Sequence, residues 1–254
     1  MFNLFYSIFI FLFGIIVGSF LNSVIYRLEK GISFLRGRSF CPKCNHTLNW
    51  MDLIPILSYV FLGGKCRYCK AKISPQYPIV ELITGLLFLS VFLTSGSILE
   101  IPFNFVIVSL LIVIFIFDLK HYIIPDRIVY LAISISLAWL LYIKADILTT
   151  IYALLVSFGF FLLIVLISKG KWMGVGDVKL AFFMGLFLGW PNVLVALFLA
   201  FFLGSTVGIF LMLNKKKSFS SEIPFGPFLV IGSLIALFEA ENIVNWYLTL
   251  FLIQ

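Results

Sequence analysis

The sequence predicts an all-α polytopic membrane protein that carries a small cytoplasmic, zinc-ribbon-like insertion. Of its 254 residues, 62% are hydrophobic and only 11% are charged, whereas soluble domains carry roughly 25% charged residues. Because so few charges cannot cover a globular surface in water, lipid is the expected solvent for most of the chain. Two further observations are a series of long apolar runs and one polar loop that holds all four cysteines.

The apolar runs define about eight transmembrane helices, since a bilayer core requires about 20 apolar residues per helix. The first run is expected to be a retained helix, because it lacks the basic amino-terminal region of a signal peptide. The turn Trp190-Pro191-Asn192 divides the sixth run from the seventh, since proline ends one helix or begins the next. The eight runs are 4–26, 78–95, 101–119, 126–143, 147–168, 177–190, 192–213 and 228–252.

The basic residues predict the orientation of these helices. With eight helices and the amino terminus outside, 17 of the 18 Lys and Arg residues lie in cytoplasmic loops, and only Lys144 lies on the other side. Positive charge is retained on the cytoplasmic side, so the net charge of +7 reflects orientation in the bilayer, and no nucleic-acid partner is expected. The predicted segments are a first helix (1–27), a cytoplasmic cysteine module (28–77) and a membrane core (78–254).

The four cysteines predict a structural zinc site. They form two CxxC pairs, Cys41-Pro-Lys-Cys44 and Cys66-Arg-Tyr-Cys69, with the spacing of a zinc ribbon. Four thiolates complete a tetrahedral shell, and the metal would supply the folding energy that so small a loop lacks. The alternative is two disulfides or free thiols, and the predicted cytoplasmic location disfavours disulfides. His46 could replace one cysteine as a ligand, but a solvated loop histidine is the simpler interpretation.

Two aspartates are predicted to lie at the same depth in the membrane. Asp118 follows the apolar run LLIVIFIF at the cytoplasmic end of the third helix, and Asp177 begins the sixth. A charged carboxylate costs roughly 2.5–3.5 kcal/mol at mid-bilayer, so each needs a polar cavity or a partner. Two adjacent carboxylates share a proton. One can then activate water while the other polarises a peptide carbonyl and protonates the leaving amine, which is the chemistry of an aspartyl protease.

Each acidic residue also has a structural interpretation. The helix dipole stabilises a carboxylate at the start of a helix. Taken by itself, Asp177 would be explained by this effect. For Asp126, which follows Ile124-Pro125, capping of the fourth helix is the favoured interpretation. Glu81, near the start of the second helix, is either a further cavity residue or a cap. The matched depth of the aspartate pair favours catalysis, as does the flanking glycine sequence, which lets a substrate backbone approach closely.

Several stretches resemble type IV prepilin peptidases, and they occur in the same order as in that family. They are Gly18-Ser-Phe-Leu-Asn22 followed by Arg27, the CPKC and CRYC pairs, Asp118-Leu-Lys-His-Tyr-Ile-Ile-Pro-Asp126, Gly174-Val-Gly-Asp-Val-Lys-Leu180 and Pro224-Phe-Gly-Pro-Phe228. The resemblance implies catalysis by Asp118 and Asp177 at the cytoplasmic face of a prokaryotic inner or only membrane. The implied substrates are prepilins or pseudopilins of type IV pili, type II secretion or competence systems.

The resemblance also implies that the new amino terminus is methylated with S-adenosylmethionine, although the sequence contains no Rossmann glycine motif. The region expected to serve substrate or methylation comprises Ser19, Asn22 and Arg27. Gly18 is expected to serve helix packing, and the PFGPF stretch is either one wall of the substrate cleft or a structural turn. The residues expected to support the aspartates are Asp126, Gly174, Gly176, Lys179, Pro224 and Gly226.

Three alternatives compete with this interpretation. Another GxGD protease, presenilin-like or directed at preflagellins, would not be expected to carry the cysteine tetrad and PFGPF. A transporter or proton channel that uses the aspartates as a relay would need charges deep inside several helices, where the sequence has almost none. A non-enzymatic assembly scaffold would use the zinc module to dock a partner. The sequence makes no prediction of the oligomeric state.

Overall fold

A computed structural model of the chain describes residues 4–33, 37–213 and 223–251, and these parts are mainly helical. A short 3-10 turn, Trp50–Asp52, lies in the polar loop, and a π-helical turn, Leu155–Gly159, joins the helices on either side of it. The basic residues Arg36, Lys215, Lys216 and Lys217, and Glu222, which were assigned to cytoplasmic loops, lie outside the described residues. The helices are α1 Leu4–Glu29, α2 Leu57–Phe61, α3 Gln76–Thr94, α4 Glu100–His121, α5 Asp126–Tyr142, α6 Ile147–Leu154, α7 Phe160–Ser168, α8 Val175–Leu188, α9 Asn192–Leu213 and α10 Gly226–Phe251.

Each of the eight predicted runs forms a helix, with α6, the π turn and α7 together forming the fifth. Within the described ranges, six helices are long and apolar enough to cross a membrane. The other two, α5 and α8, have 17 and 14 residues. At 1.5 Å per residue they are about 25 and 21 Å long, which is shorter than a hydrocarbon core of about 30 Å. A multi-pass membrane protein is therefore confirmed, whereas eight crossings and the orientation stay predictions.

The chain forms two compact units, Met1–Val113 and Ile114–Gln254, with the division inside α4. In the first unit, α1 and α3 pack closely through small residues. A methyl group on Gly18 would lie 2.7 Å from the Cα of Glu81, and one on Gly14 would lie 2.8 Å from the Cα of Gly85. Real carbon contacts are longer, so only glycine allows this approach. The packing role expected for Gly18 is confirmed.

In the second unit, α8 occupies the centre of the core. Its residues Leu180, Ala181, Phe183 and Met184 are completely buried. At Gly185 the helix lies so close to the π turn that an added methyl group would collide with the hydroxyl of Ser157. The first turn of α8, which carries Asp177, is therefore held in place by a well-packed helix behind it.

Candidate active site and metal centre

Asp118 lies in the last turn of α4, and it is only 4% exposed. The carbonyl end of a helix is unfavourable for a carboxylate, so this residue needs a donor from elsewhere. The backbone N–H of Gly226, at the start of α10, donates a hydrogen bond to its side chain. A methyl group on Gly226 would collide with the Asp118 carboxylate. Gly226 therefore serves both as the donor and as the residue whose small size allows the contact.

Asp177 is the third residue of α8, and Gly174 holds the N-cap position. The Asp177 carboxylate accepts a hydrogen bond from the backbone N–H of Gly174, which is one half of a capping box. It also lies close enough to Asp118 for the charge of one carboxylate to act on the other. The structure thus brings together the two aspartates that the sequence singled out. The catalytic role of the pair stays a prediction, and Asp177 also has the structural role that its position suggested.

Ile124 packs against both glycines beside the aspartates. It lies in the loop between α4 and α5 and is 8% exposed, whereas its neighbour Ile123 is 62% exposed. A methyl group on Gly176 would be 3.2 Å from the Ile124 Cβ, and one on Gly226 would be 3.2 Å from its Cδ1. The side chain therefore fills the space between the starts of α8 and α10. The sequence carries no signal for this role of Ile124, since an apolar residue before a proline has no distinctive pattern.

Asp126 and Lys179 form an ion pair that joins α5 to α8. The Lys179 Nζ lies 2.8 Å from the Asp126 Oδ1, and it is 5.3 Å from the centre of the Tyr130 ring. The interpretation of Asp126 as the cap of its helix is wrong, because Pro125 holds the N-cap position and Asp126 is the first helical residue. Proline presets the backbone angle, and the carboxylate is then engaged by the lysine.

The PFGPF stretch enters α10 through an aromatic cluster. Pro224 precedes Phe225, whose ring centre lies 5.0 Å from that of Phe201 and 6.1 Å from that of Phe161. These contacts hold the start of α10, and with it the Gly226 N–H, in position. They support the structural interpretation of the stretch, while its role as a wall of the substrate cleft stays a prediction.

The four cysteine sulfurs form a single cluster. They all lie within 4.8 Å of one another, and the Cys41 and Cys69 sulfurs are 3.9 Å apart. A tetrahedral zinc ion with Zn–S bonds of about 2.3 Å requires sulfur separations of about 3.8 Å, whereas a disulfide requires about 2.05 Å. The donor set and its spacing therefore fit a structural metal ion. The described cysteines form no disulfide, so the disulfide alternative is not supported.

Two similar knuckles, residues 39–48 and 64–73, supply the cysteine pairs. In each, the first cysteine N–H donates to the carbonyl five residues later, at 2.9 Å from Cys41 to His46 and at 2.8 Å from Cys66 to Ala71. The residue after each second cysteine, Asn45 or Lys70, has a positive φ near 55–58°. The local repeat follows from this turn geometry and is hard to see in the sequence, where the two knuckles share little besides the cysteines.

His46 and Asp52 connect the knuckles and are not needed as ligands. The His46 ring lies 3.7 Å from the centre of Tyr68. Asp52 accepts hydrogen bonds from Arg67 at 2.7 Å and from the Asn49 N–H at 3.1 Å. Burial by itself would raise the pKa of Asp52, but these donors outweigh it and hold the pKa below its usual range. An ionised Asp52 thus attaches the segment between the knuckles to the second of them.

The polar residues of α1 bind neighbouring parts of their own unit. Asn22, which is 3% exposed, donates to the Tyr77 carbonyl at 3.0 Å and accepts from Gln76 at 3.4 Å. Arg27 donates to the Gly37 carbonyl at 2.8 Å, and Ser19 donates to the carboxylate of Glu81. Their predicted roles in substrate binding or methylation stay predictions.

Glu81 is neither a cap nor exposed, because it lies in the second turn of α3 and is 6% exposed. Besides Ser19, it accepts the backbone N–H of Ile56 at 2.7 Å. The sequence analysis did not anticipate this bond, since nothing in the pattern indicates which backbone donor a buried carboxylate will meet.

The fold defines a polytopic helical membrane protein that carries two neighbouring buried aspartates and a cluster of four cysteines whose spacing fits a metal ion. The profile of the Bacterial Peptidase A24 N-terminal domain matches residues 12–95, and that of the Type IV leader peptidase family matches residues 105–209. The chain belongs to this peptidase family, as the following relatives also show.

Three curated relatives are each called "Prepilin leader peptidase/N-methyltransferase". The protein of Aeromonas hydrophila is 33% identical, with 96% of this chain and 94% of the relative covered. That of Bacillus subtilis (strain 168) is 33% identical, with 94% and 96% covered. That of Legionella pneumophila is 31% identical, with 93% and 92% covered. No solved structure matches the chain.

Proposed function

We propose that this protein removes the leader peptide from type IV prepilins or pseudopilins and then methylates the new amino terminus. The names of its relatives support both activities. The observation that carries the peptidase assignment is that Asp118, at the end of α4, lies near enough to Asp177, at the start of α8, for their charges to interact. Both carboxylates receive a backbone N–H from a glycine, so neither depends on a bulky side chain that would obstruct a peptide.

The proposed mechanism divides acid and base roles between the two aspartates. In this mechanism the two carboxylates share one proton, because ionising both is unfavourable when their charges interact. The ionised one removes a proton from water, whose oxygen attacks the scissile carbonyl carbon. The protonated one donates a hydrogen bond to the carbonyl oxygen, and a proton then passes to the leaving amine. General acid–base catalysis of this kind contributes about 10²–10⁴-fold for each group.

The proposed orientation has the amino terminus outside and the aspartate pair at the cytoplasmic face of the inner membrane. The distribution of 17 of 18 basic residues supports it. A prepilin enters with a basic leader followed by an apolar helix, so its cleavage point would meet the pair at this face. Gly174, Gly176 and Gly226 are assigned supporting roles because their small size allows neighbouring groups to approach closely. Asp126 and Lys179 are assigned supporting roles because their ion pair joins α5 to α8.

Zinc is the proposed occupant of the cysteine centre, bound by Cys41, Cys44, Cys66 and Cys69, where its chemistry would be purely structural. Metal analysis of the purified protein tests this assignment, and stoichiometric disulfides would contradict it. S-adenosylmethionine is the methyl donor that the resemblance implies. The polar groups of Ser19, Asn22 and Arg27 make hydrogen bonds within their own unit, and no step is assigned to this donor.

Isosteric substitution of each aspartate tests the peptidase assignment. The full-length protein in nanodiscs is incubated with a cognate prepilin, and leader removal is measured for the wild type, Asp118→Asn and Asp177→Asn. Each substitution keeps the side-chain shape but removes a titrating group, so cleavage should fall by at least about a hundredfold. Asp146→Asn is the matched control, because Asp146 caps α6 away from the pair and asparagine caps equally well.

Normal processing by either aspartate variant would refute the catalytic assignment. The methyltransferase is tested separately by mass spectrometry of the processed product after addition of S-adenosylmethionine. A product that never gains a methyl group, although its leader is removed, would eliminate that half of the proposal.

A further inference from the structure

The segment that connects the two knuckles exposes an unusual amount of apolar surface. This connecting segment, residues 50–61, contains the 3-10 turn and α2. Its most exposed apolar side chains are Trp50 (71%), Met51 (50%), Leu57 (54%), Val60 (65%) and Phe61 (84%). A small polar module in water would be expected to bury such residues, since contiguous exposed apolar patches mark interaction sites.

The short helix α2 has its apolar face turned outward. Leu57, Val60 and Phe61 are spaced i, i+3 and i+4 and therefore share one face. Ser58 and Tyr59 lie between them and are half-buried, and the Tyr59 ring lies against Gly64. A surface helix in water has the reverse arrangement. The face of α2 therefore fits an apolar environment.

A hydrogen bond to a membrane helix fixes the depth of the connecting segment. The Ile56 N–H, at the start of α2, donates to Glu81 Oε2 at 2.7 Å. Glu81 is the sixth residue of α3, which is long and apolar enough to cross the bilayer. It lies about 7.5 Å along the helix axis from the first residue of α3. The start of α2 is therefore level with the second turn of a membrane helix, where headgroups meet acyl chains.

The backbone of Ile56 supports this attachment. Its φ is 60°, a conformation that β-branched residues rarely adopt and that persists only where the surroundings impose it. The buried Glu81 carboxylate, which also binds Ser19, provides such a restraint. The hydrogen bond between Ile56 and Glu81 therefore holds α2 in a defined position beside α3.

The charge of the module suits a lipid surface. Among the described residues 37–75 the only acidic side chain is Asp52, which is paired with Arg67. The basic residues there are Arg38, Lys43, Lys65, Arg67, Lys70 and Lys72. Basic residues are attracted to anionic headgroups, and tryptophan favours the membrane interface. A basic leader peptide, by contrast, would be repelled by this module.

We propose that the connecting segment is an interfacial membrane element. Its outward side chains, chiefly Leu57, Val60 and Phe61, lie in the boundary between headgroups and acyl chains of the bilayer that α3 enters. The attachment holds the cysteine centre against the membrane surface. The occupant of the apolar face is thus lipid, and neither a second copy of the chain nor the helix of a pilin.

Photo-crosslinking of the full-length protein tests this proposal. The photoreactive residue p-benzoylphenylalanine is introduced at position 61, where it resembles the native phenylalanine, and separately at position 47. Thr47 is an exposed residue of the first knuckle, so it serves as the matched control. The protein is reconstituted in nanodiscs that contain phosphatidylglycerol, irradiated, and analysed by mass spectrometry, with metal content as the check on folding.

The expected result is a lipid adduct yield at position 61 several times that at position 47. The same probe at position 57 should behave like that at position 61, which provides a second site if the first variant folds poorly. Equal yields at positions 61 and 47 would overturn the proposal. A crosslink from position 61 to a second copy of the chain, or to added prepilin in preference to lipid, would equally overturn it. None of these outcomes depends on the activity of the aspartate pair.

Discussion

The two units of the molecule each bury a carboxylate beside a glycine, but they give it different partners. In the first unit, Glu81 lies against Gly18 and accepts hydrogen bonds from Ser19 and the Ile56 N–H. In the second, Asp118 lies against Gly226 and is near enough to a second carboxylate, that of Asp177, for their charges to interact. Burial and close glycine packing are therefore common to both places. What distinguishes them is whether a second ionisable group is within reach.

This difference separates a structural carboxylate from one suited to catalysis. The donors of Glu81 are a hydroxyl and a backbone amide, which do not exchange protons with it near neutral pH. They hold a loop in place, and within the described parts of the chain this carboxylate is bonded only by these uncharged donors. In the proposed mechanism, Asp118 and Asp177 share one proton. A buried acidic residue in a membrane helix is therefore a candidate for function, and its partners decide which function it has.

Replacing either Gly226 or Gly18 by alanine should have the largest effect, and the property that changes should differ between the two units. Gly226→Ala drives a methyl group into the Asp118 carboxylate, so leader cleavage should fall by about a hundredfold, as expected for a displacement of about 1 Å at a reacting group. Gly18→Ala should instead loosen the packing of α1 on α3 and lower the thermal stability of the first unit, while the chemistry is spared. Cleavage rates and thermal unfolding in nanodiscs distinguish these effects.

Gly208→Ala is the control for both glycine substitutions, since nothing lies within 4 Å of a methyl group there. If Gly226→Ala cleaves as fast as Gly208→Ala, Asp118 does not require this close approach and the contrast between the units fails.

Replacing Glu81 should have an intermediate effect that is confined to the first unit. Glu81→Gln keeps the shape but weakens the hydrogen bond from the Ile56 N–H, and such a loss costs about 1–3 kcal/mol. The amides of Ile56 and α2 should then exchange hydrogen faster, while cleavage stays within a few-fold of the wild type. Hydrogen-exchange mass spectrometry and the cleavage assay measure the two quantities. A loss of cleavage as large as that of Asp118→Asn would mean that Glu81 takes part in catalysis.

The smallest effect is expected at the ion pair beside the site. Lys179→Met removes the partner of Asp126 but keeps most of the aliphatic stem, and exposed ion pairs contribute less than about 1 kcal/mol. Stability and cleavage should change little, and less at high salt than at low salt. Thermal unfolding at two salt concentrations provides the measurement. A large fall in the cleavage rate, with unchanged stability, would place Lys179 in contact with the substrate.

The sequence by itself determined the helices, because the length of an apolar run and the turn residues at its ends are local properties. The eight runs and the turn at Trp190-Pro191 correspond to helices and a boundary in the structure. The cysteine pairs could be predicted for the same reason, since each CxxC turn is local and thiolates share one metal chemistry. The two aspartates were found because carboxylates are rare in apolar surroundings.

Only the tertiary structure decided which groups these residues meet. The bonds from Ile56 to Glu81 and from Gly226 to Asp118, and the packing of Ile124 between two glycines, join residues that are distant in the chain. The pairing of Asp126 with Lys179, where a helix cap was expected, has the same origin. Such contacts depend on how whole helices pack. Composition and spacing indicate that a carboxylate needs a partner, and the packed helices determine which partner it obtains.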